Sequence, residues 1–395
     1  MPRPPCTNWH SYSALADWAL VRITGPKEAD GERRVAVTPK IARRLIESGH
    51  SVVVESGLGE AAGFPDRAYL DEGVVVSADP LEGADLILVV GPPPPALAAR
   101  IREGAALVGF LDPFAADDLI KTLRDRRITT FAMEAIPRTT LAQSMDALSS
   151  QASAAGYHAV LLAATATPRF FPMMITAAGT IPPVRLLVLG AGVAGLQAIA
   201  TARRLGAVVS AYDIRPQVQE QIESLGARFI AAPVDESAAA ATGYAKELGD
   251  ETQRRQQAAL AEFVAESDVV ITTAQIPGRP APLLISREMV EQMSPSSVIV
   301  DVAAAAGGNC EVTRPGEDVV HEGVLVMGPT DLAGRVAVDA SQMYARNVAA
   351  FVERITGDEA EFSCDLEDEI VAGACITHEG RVMHPVTRRA LEAGQ

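Results

Sequence analysis

Two kinds of hydrophobic pattern alternate along the chain: short apolar runs that read as buried strands, and longer segments whose apolar residues recur at helical spacing. Residues 20–24 predict a first strand. Residues 35–39 lead into a helix whose apolar face includes Ile41, Leu45 and Ile46, and residues 51–55 predict the next strand, completing a βαβ unit. The alternation continues with strands at 85–90, 106–110 and 129–132, a proline loop at 92–95 and a helix at 117–126. An Ala-rich, lightly charged helical stretch follows at 143–165. Further strands are predicted at 185–189, 207–213, 269–273 and 298–302, with a helix at 339–355.

This order predicts an α/β protein of two Rossmann-like doubly wound domains, with a cleft between them and long helices linking them. Residues 1–18 fit no element and read as a disordered N-terminal extension. Residues 19–145 together with 340–395 are expected to form the first domain, discontinuous in sequence. Residues 146–339 are expected to form the second, including the interdomain helix. Residues 235–257 are polar and weakly patterned around Tyr244, which makes them a candidate mobile loop.

The second domain carries the one local motif with a chemical meaning. The apolar run at 185–189 ends on Gly190, and Gly190, Ala191, Gly192, Val193, Ala194 and Gly195 spell G-x-G-x-x-G before an Ala-rich helix. In a dinucleotide-binding unit the first glycine makes the tight turn, the second admits a pyrophosphate, and the third lets helix pack on strand. The pyrophosphate sits at the helix N-terminus, where free N–H groups and the helix dipole favour an anion. The following strand ends in Asp213, the place of an acid that accepts hydrogen bonds from an adenosine ribose. Its charge disfavours a 2′-phosphate, so NAD(H) is expected rather than NADP(H). Ile214 and Arg215 follow, and Arg215 leaves open a role in receiving a 2′-phosphate. Thr273, Ala274 and Gln275, at the end of the next strand, complete the predicted nucleotide-binding set.

Composition narrows the class. Fifty acidic against 34 basic residues give a net charge of -16, which argues against nucleic acid as a partner. No run is long and apolar enough to cross a bilayer, and the start lacks the apolar core of a signal peptide, so the cytoplasm is the expected location, without direct membrane insertion. Cys6, Cys310, Cys364 and Cys375 are too scattered for a disulfide framework or a C-x-x-C metal site and read as reduced thiols. No metal centre is expected from the six dispersed histidines.

Residues 138–151, 171–183, 190–205, 243–247 and 276–282 resemble the NAD(H)-binding domain of the proton-translocating nicotinamide nucleotide transhydrogenases, and the similarity covers about residues 21–385. The resemblance implies that Arg138, Gln143, Asp146 and Ser149 form the floor of a nicotinamide site and that Tyr244 belongs to a lid. Spacing agrees for three of these, since Gln143, Asp146 and Ser149 at i, i+3 and i+6 share one face at a helix start. The resemblance further implies hydride exchange with NADP(H) held on a partner subunit, a membrane subunit that conducts protons, a homodimer, and a place on the cytoplasmic face of the membrane through those partners. A related family, the alanine dehydrogenases, resembles a pattern with a lysine, a histidine and an aspartate at three strand ends. This chain has Gly91-Pro92-Pro93, Leu111-Asp112-Pro113 and Ala304-Ala305-Ala306 there. A stand-alone amino-acid dehydrogenase would need another base, for which His158 and Lys27 are the candidates. The chain departs from the transhydrogenase pattern at Ala305, where that family places an acid, and over residues 328–334. Those departures keep open a third reading, a degenerate NAD-binding protein.

Overall fold

A computed structural model describes residues 21–114, 118–231, 250–275, 279–357 and 361–393. The chain divides into two units, one formed by Met1–Ser150 with Ala337–Gln395 and the other by Gln151–Val336. Both are Rossmann-like.

Unit 1 begins with β1 (Arg22–Gly25), α1 (Pro39–Glu47), β2 (Ser51–Glu55), α2 (Asp66–Leu70) and β3 (Val75–Ser77). It continues through β4 (Leu86–Leu88), α3 (Pro95–Ala98), β5 (Ala106–Gly109), α4 (Asp118–Asp125) and β6 (Thr129–Ala132). The helix α5 (Ala147–Ala166) follows a 3-10 turn at Thr140–Met145 and runs across the sequence boundary between the units. Unit 2 holds the hairpin β7 (Met174–Thr176) and β8 (Gly179–Ile181), then β9 (Arg185–Leu189), α6 (Val193–Arg204), β10 (Val208–Tyr212), α7 (Gln219–Ser224) and β11 (Arg228–Phe229). After it come α8 (Asp250–Ala265), β12 (Val269–Thr272), α9 (Arg287–Glu291), β13 (Val298–Asp301), β14 (Asp318–His321) and β15 (Val324–Met327). The chain then returns to unit 1 as α10 (Ala337–Thr356), α11 (Glu369–Ala374), β16 (Cys375–His378), β17 (Arg381–Val382) and α12 (Pro385–Ala393).

The unit 2 sheet has the order β11-β10-β9-β12-β13-β15-β14, parallel except for β14 at the edge. β9 lies between β10 and β12, and at such a reversal of strand order a crevice opens beyond the strand ends. In unit 1 the order is β17-β16-β6-β5-β4-β1-β2-β3, with β1 to β6 parallel and the last two strands antiparallel. Strand β1 occupies the equivalent reversal between β4 and β2. There the turn after β1 carries Glu28, whose carboxylate accepts the N–H groups of Val90 (2.8 Å) and Gly91 (3.3 Å), so a side chain rather than a glycine loop ties these strand ends together.

The core of unit 1 explains why the chain comes back to it. On α10, Tyr344, Val348, Phe351, Val352 and Ile355 are all at most 1% exposed and join the cluster formed by β1, β4 and β5. These positions recur every three or four residues, as the buried stripe of an amphipathic helix does.

Two sequence expectations are corrected, and one element was missed. The segment read as one helix over 143–165 is a 3-10 turn and a separate α-helix, because the Asp146 carboxylate accepts the Ser149 N–H (2.9 Å) and so starts a new helix at Ala147. The predicted loop over 235–257 is helical from Asp250 onward; Tyr244 and residues 232–249 lie outside the described residues. Among its described side chains Gln256, Leu260 and Val264 are buried, and a glutamine in the buried row weakens the sequence pattern. The hairpin Met174–Ile181 went unpredicted because both its strands are exposed along their length and so have no buried face to alternate with.

A second buried carboxylate in unit 1 makes its stability depend on pH. Glu134 accepts the N–H groups of Leu111 (2.8 Å) and Asp112 (2.7 Å), while its Oε2 is buried without a hydrogen-bond partner among the described residues. Burial pushes Glu134 from 4.5 up to about 7 and Glu28 from 4.5 up to about 8, against the lowering effect of the N–H groups they accept. Such groups hold a proton in the folded chain that they release on unfolding, so stability is greatest below the unfolded value and is lost as pH rises toward the folded one. Denaturant midpoints are expected to fall between pH 5 and pH 8, a range bracketed by these values, and Glu134→Gln with Glu28→Gln should flatten the slope. A midpoint that rises over this range in the native sequence would contradict the assignment.

Candidate nucleotide-binding site

The glycine loop of unit 2 is built by three glycines with three different surroundings. Gly190 ends β9 at φ +99°, a backbone conformation open to glycine. A Cβ on Gly195 would stand 1.9 Å from the Gly190 carbonyl oxygen, so α6 reaches the sheet only without a side chain there. At Gly192 a Cβ would meet nothing within 4 Å. Its glycine is therefore not demanded by the protein's own packing, and the open space above it is room for a ligand. No side chain caps α6, whose first turn starts at Val193, so the donors of its first turn are left to whatever binds there. Val193 is 39% exposed at this end and Ala191 is buried.

Gly156, on α5, is a supporting contact that the sequence reading missed. A Cβ there would lie 2.1 Å from the carbonyl oxygen of Ala194, so α5 presses directly on the first turn of α6. A lone glycine inside an otherwise Ala-rich helix was the available signal.

Asp213 lies just past β10 and is 7% exposed. Its Oδ2 accepts the Ala191 N–H (2.7 Å), tying the glycine loop to the neighbouring strand end. Oδ1 accepts the backbone N–H of Arg215 (2.9 Å), and the Arg215 guanidinium straddles both oxygens at 2.9 and 3.0 Å. The acid and the arginine of the predicted set thus form a bidentate pair, which holds the guanidinium pKa above its usual value, chiefly through the Asp213 hydrogen bond. All four acceptor positions of the carboxylate are taken. Ile214, between the two, is half-buried.

On the other side of the crevice Thr273 donates from Oγ1 to the Gly190 carbonyl (2.9 Å), locking the end of β12 to the end of β9. Ala274 is held by Asn309, whose Oδ1 accepts the Ala274 N–H (3.0 Å) and whose Nδ2 donates to the carbonyls of Ala274 and Pro282 (2.8 Å each). Asn309 is itself fixed by Asp301, a fully buried carboxylate that accepts from Thr272 Oγ1, Ala303 N, Asn309 N, Cys310 N and Thr313 Oγ1 at 2.7 to 3.1 Å. Asp301 and Asn309 were not singled out from sequence, since neither belongs to a motif. Gln275 is exposed. Ala305, where an acid was expected, is exposed on a short 3-10 turn, so the absence of a carboxylate there leaves the Asp301 network intact.

The other predicted group lies in unit 1. Asp146 and Ser149 meet: Ser149 donates from Oγ to Asp146 Oδ2 (2.6 Å) as well as from its N–H to Oδ1. Gln143 is exposed on the preceding 3-10 turn, and Arg138 is also exposed. The expected single helix face is therefore shared between a 3-10 turn and α5. The turn is anchored by buried Ala142 and Met145 and by Asn347 of α10, which donates to the Ser144 carbonyl (2.8 Å). His158 and Lys27, the alternative bases, fall in different units; burial and nearby Arg335 hold the His158 pKa below its usual value.

Among the described residues no group of three or more acidic, histidine or cysteine side chains is placed to hold a metal ion, and no helix is long and apolar enough to cross a membrane. The N-terminal domain family of alanine dehydrogenase/PNT matches residues 25–155, and the C-terminal domain family matches residues 159–385. An NAD(P) transhydrogenase subunit alpha chain of Rhodospirillum rubrum is 45% identical over 377 residues, covering 92% of this chain and 98% of the relative. The alanine dehydrogenase of Halomonas elongata is 30% identical over 381 residues, 94% of this chain and 96% of that enzyme. The crystal structure of the transhydrogenase from Sinorhizobium meliloti superposes with a TM-score of 0.84 at 45% identity, over 91% of this chain and 99% of that one. With both domain families matched in order and transhydrogenase alpha subunits alike along nearly its whole length, the chain belongs to the alanine dehydrogenase/PNT family.

Proposed function

We propose that this chain is the NAD(H)-binding subunit of a proton-translocating transhydrogenase, exchanging hydride between NADH and NADP⁺ held by a partner subunit. The observation that carries the reading is the empty space over Gly192 beside an uncapped helix start, with Asp213 at the neighbouring strand end. When bound, NADH supplies the hydride. The chain's own groups bind and orient: the first turn of α6 faces the pyrophosphate, Asp213 the adenosine ribose, and Thr273, Ala274 and Gln275 the far side of the crevice. Arg138, Gln143, Asp146 and Ser149 hold the nicotinamide. Direct transfer between two rings exchanges no proton with either, so alignment and exclusion of water are what the protein must provide. That requirement fits a chain with no lysine or histidine in Gly91-Pro92-Pro93, Leu111-Asp112-Pro113 or Ala304-Ala305-Ala306.

The subunit works as a homodimer, on the cytoplasmic face of a membrane that it reaches through the proton-conducting and NADP(H)-binding subunits. Proton flow acts through those partners.

Asp213 has two tasks in this reading. Its bond to Ala191 shapes the glycine loop, and its Oδ1 becomes available to the ribose when the Arg215 side chain turns away. For Asp213→Ala we expect NADH binding weakened by roughly tenfold or more, the loss of one or two hydrogen bonds to a charged group. The same change frees the Arg215 guanidinium, so NADPH binding should weaken far less or improve. Equilibrium dialysis against both nucleotides measures this, and an unchanged preference would refute the ribose role.

A further inference from the structure

One cavity of unit 1 gathers more positive than negative charge, in a chain whose net charge is -16. In the same unit Arg43, Arg44, Arg67, Arg100, Arg102 and Arg354 each sit against a glutamate or an aspartate. Three other arginines converge instead on a cavity of about 450 Å³: Arg124 near the end of α4, Arg381 at the start of β17 and Arg388 on α12. Among the described residues Arg381 and Arg388 pair with no carboxylate, and Arg124 pairs with its own exposed neighbour Asp125 at 2.7 Å. Glu392 also lines the cavity but forms no ion pair with the three among the described residues.

The fold brings these groups together from segments far apart in sequence. β16 runs antiparallel to β6 and β17 antiparallel to β16, so the turn that opens β17 returns to the start of β6, the end of that strand away from Glu134. There a Cβ on Gly380 would stand 3.7 Å from the Arg124 carbonyl oxygen, which brings Arg381 beside the end of α4. Helix α12 docks through Leu391, buried in one cluster with Leu123 of α4 and Ile376 of β16. The Arg388 guanidinium donates to the Met383 carbonyl (3.0 Å), which tethers it to the chain just after β17. Val382, Met383 and Leu391 add an apolar wall.

Like charges gathered in this way repel one another, and a bound anion turns that repulsion into attraction. The lining carries three positive charges against one negative, and the excess of two is close to the charge of a phosphate monoester near neutral pH. Guanidinium forks match phosphate oxygens in pairs, which a compact ammonium does not. The volume is that of a small-molecule pocket, and the apolar wall leaves room for an organic group. We propose that this cavity is a binding site for a small phosphate monoester carrying an apolar group, in a different unit from the glycine loop. The phosphate meets Arg124, Arg381 and Arg388, and the organic group lies against Val382, Met383 and Leu391.

Calorimetric titration of the full chain with phenyl phosphate tests this, with inorganic phosphate as a second probe. Phenyl phosphate should bind at millimolar concentration or below, more tightly than inorganic phosphate, and more weakly as sodium chloride is added. Arg381→Gln and Arg388→Gln should each weaken it by about tenfold, the loss of a charge-assisted hydrogen bond. Both side chains are exposed, so the variants should unfold at the native temperature. Gly192→Ala, which alters the glycine loop of unit 2, should leave phenyl phosphate binding unchanged. The proposal is overturned if the native chain does not bind phenyl phosphate, if inorganic phosphate binds equally well, or if the affinity survives both arginine changes together. Loss in Gly192→Ala alone would place the phosphate at the glycine loop instead and overturn it too.

Discussion

Gly192→Ala is expected to weaken NADH binding by about a hundredfold or more while leaving thermal unfolding within a degree or two of the native chain. The added methyl projects into space that no protein atom occupies, and the backbone at Gly192 (φ -75°) suits alanine, so folding has nothing to lose. A pyrophosphate approaching the first turn of α6 would meet that methyl, lose contact with the N–H donors, and forfeit several charge-assisted hydrogen bonds together. Gly195→Ala is the instructive contrast. There the methyl would collide with the Gly190 carbonyl, and the loss should appear first as a lower unfolding temperature. Calorimetric titration of NADH alongside thermal unfolding separates the two. Undiminished NADH affinity in Gly192→Ala would remove the phosphate from the place we assign it.

Gln143→Asn is expected to slow hydride transfer by about a hundredfold with NADH affinity nearly unchanged, because a displacement of about 1 Å between reacting groups costs on that order in rate. Gln143 is exposed on a turn anchored by Ala142 and Met145, so shortening its side chain by one methylene disturbs no packing. Asp146→Asn is a harder test of the same idea. Asparagine caps helices about as well as aspartate and can still accept from Ser149, so α5 should persist while the charge at this position disappears. Single-turnover kinetics with the NADP(H)-binding domain of a transhydrogenase, compared with nucleotide binding, reads the split. Equal losses in rate and affinity would place these residues outside the reacting geometry.

What could be read from the sequence was what short stretches determine by themselves. β9, the glycine loop and α6 are contiguous, and each glycine of the loop had a local reason that the surroundings of Gly190 and Gly195 now make concrete. The helix α10 was legible because its buried face repeats over a long stretch. The residues that stiffen the site were not legible. Asp301 gathers donors from Thr272 to Thr313 and Asn309 bridges Ala274 and Pro282, a convergence created by strand order rather than by spacing. Exposed strands such as Met174–Thr176 escaped for the opposite reason, having no buried face to leave a trace. Asp146, expected among floor residues, turned out also to start a helix, a second task that its neighbours alone did not announce.

Whether this chain passes hydride from NADH to NADP⁺ on a partner is tested most directly by reconstitution. The purified chain is mixed with the NADP(H)-binding domain of a transhydrogenase, and reduction of an NAD⁺ analogue by NADH is followed in the presence of NADP(H), with alanine plus NAD⁺ as a parallel reaction. Turnover is expected only when both proteins and NADP(H) are present, and none with alanine. Tight NADH binding without transfer, or reduction of NAD⁺ by alanine with the chain alone, would contradict the subunit reading.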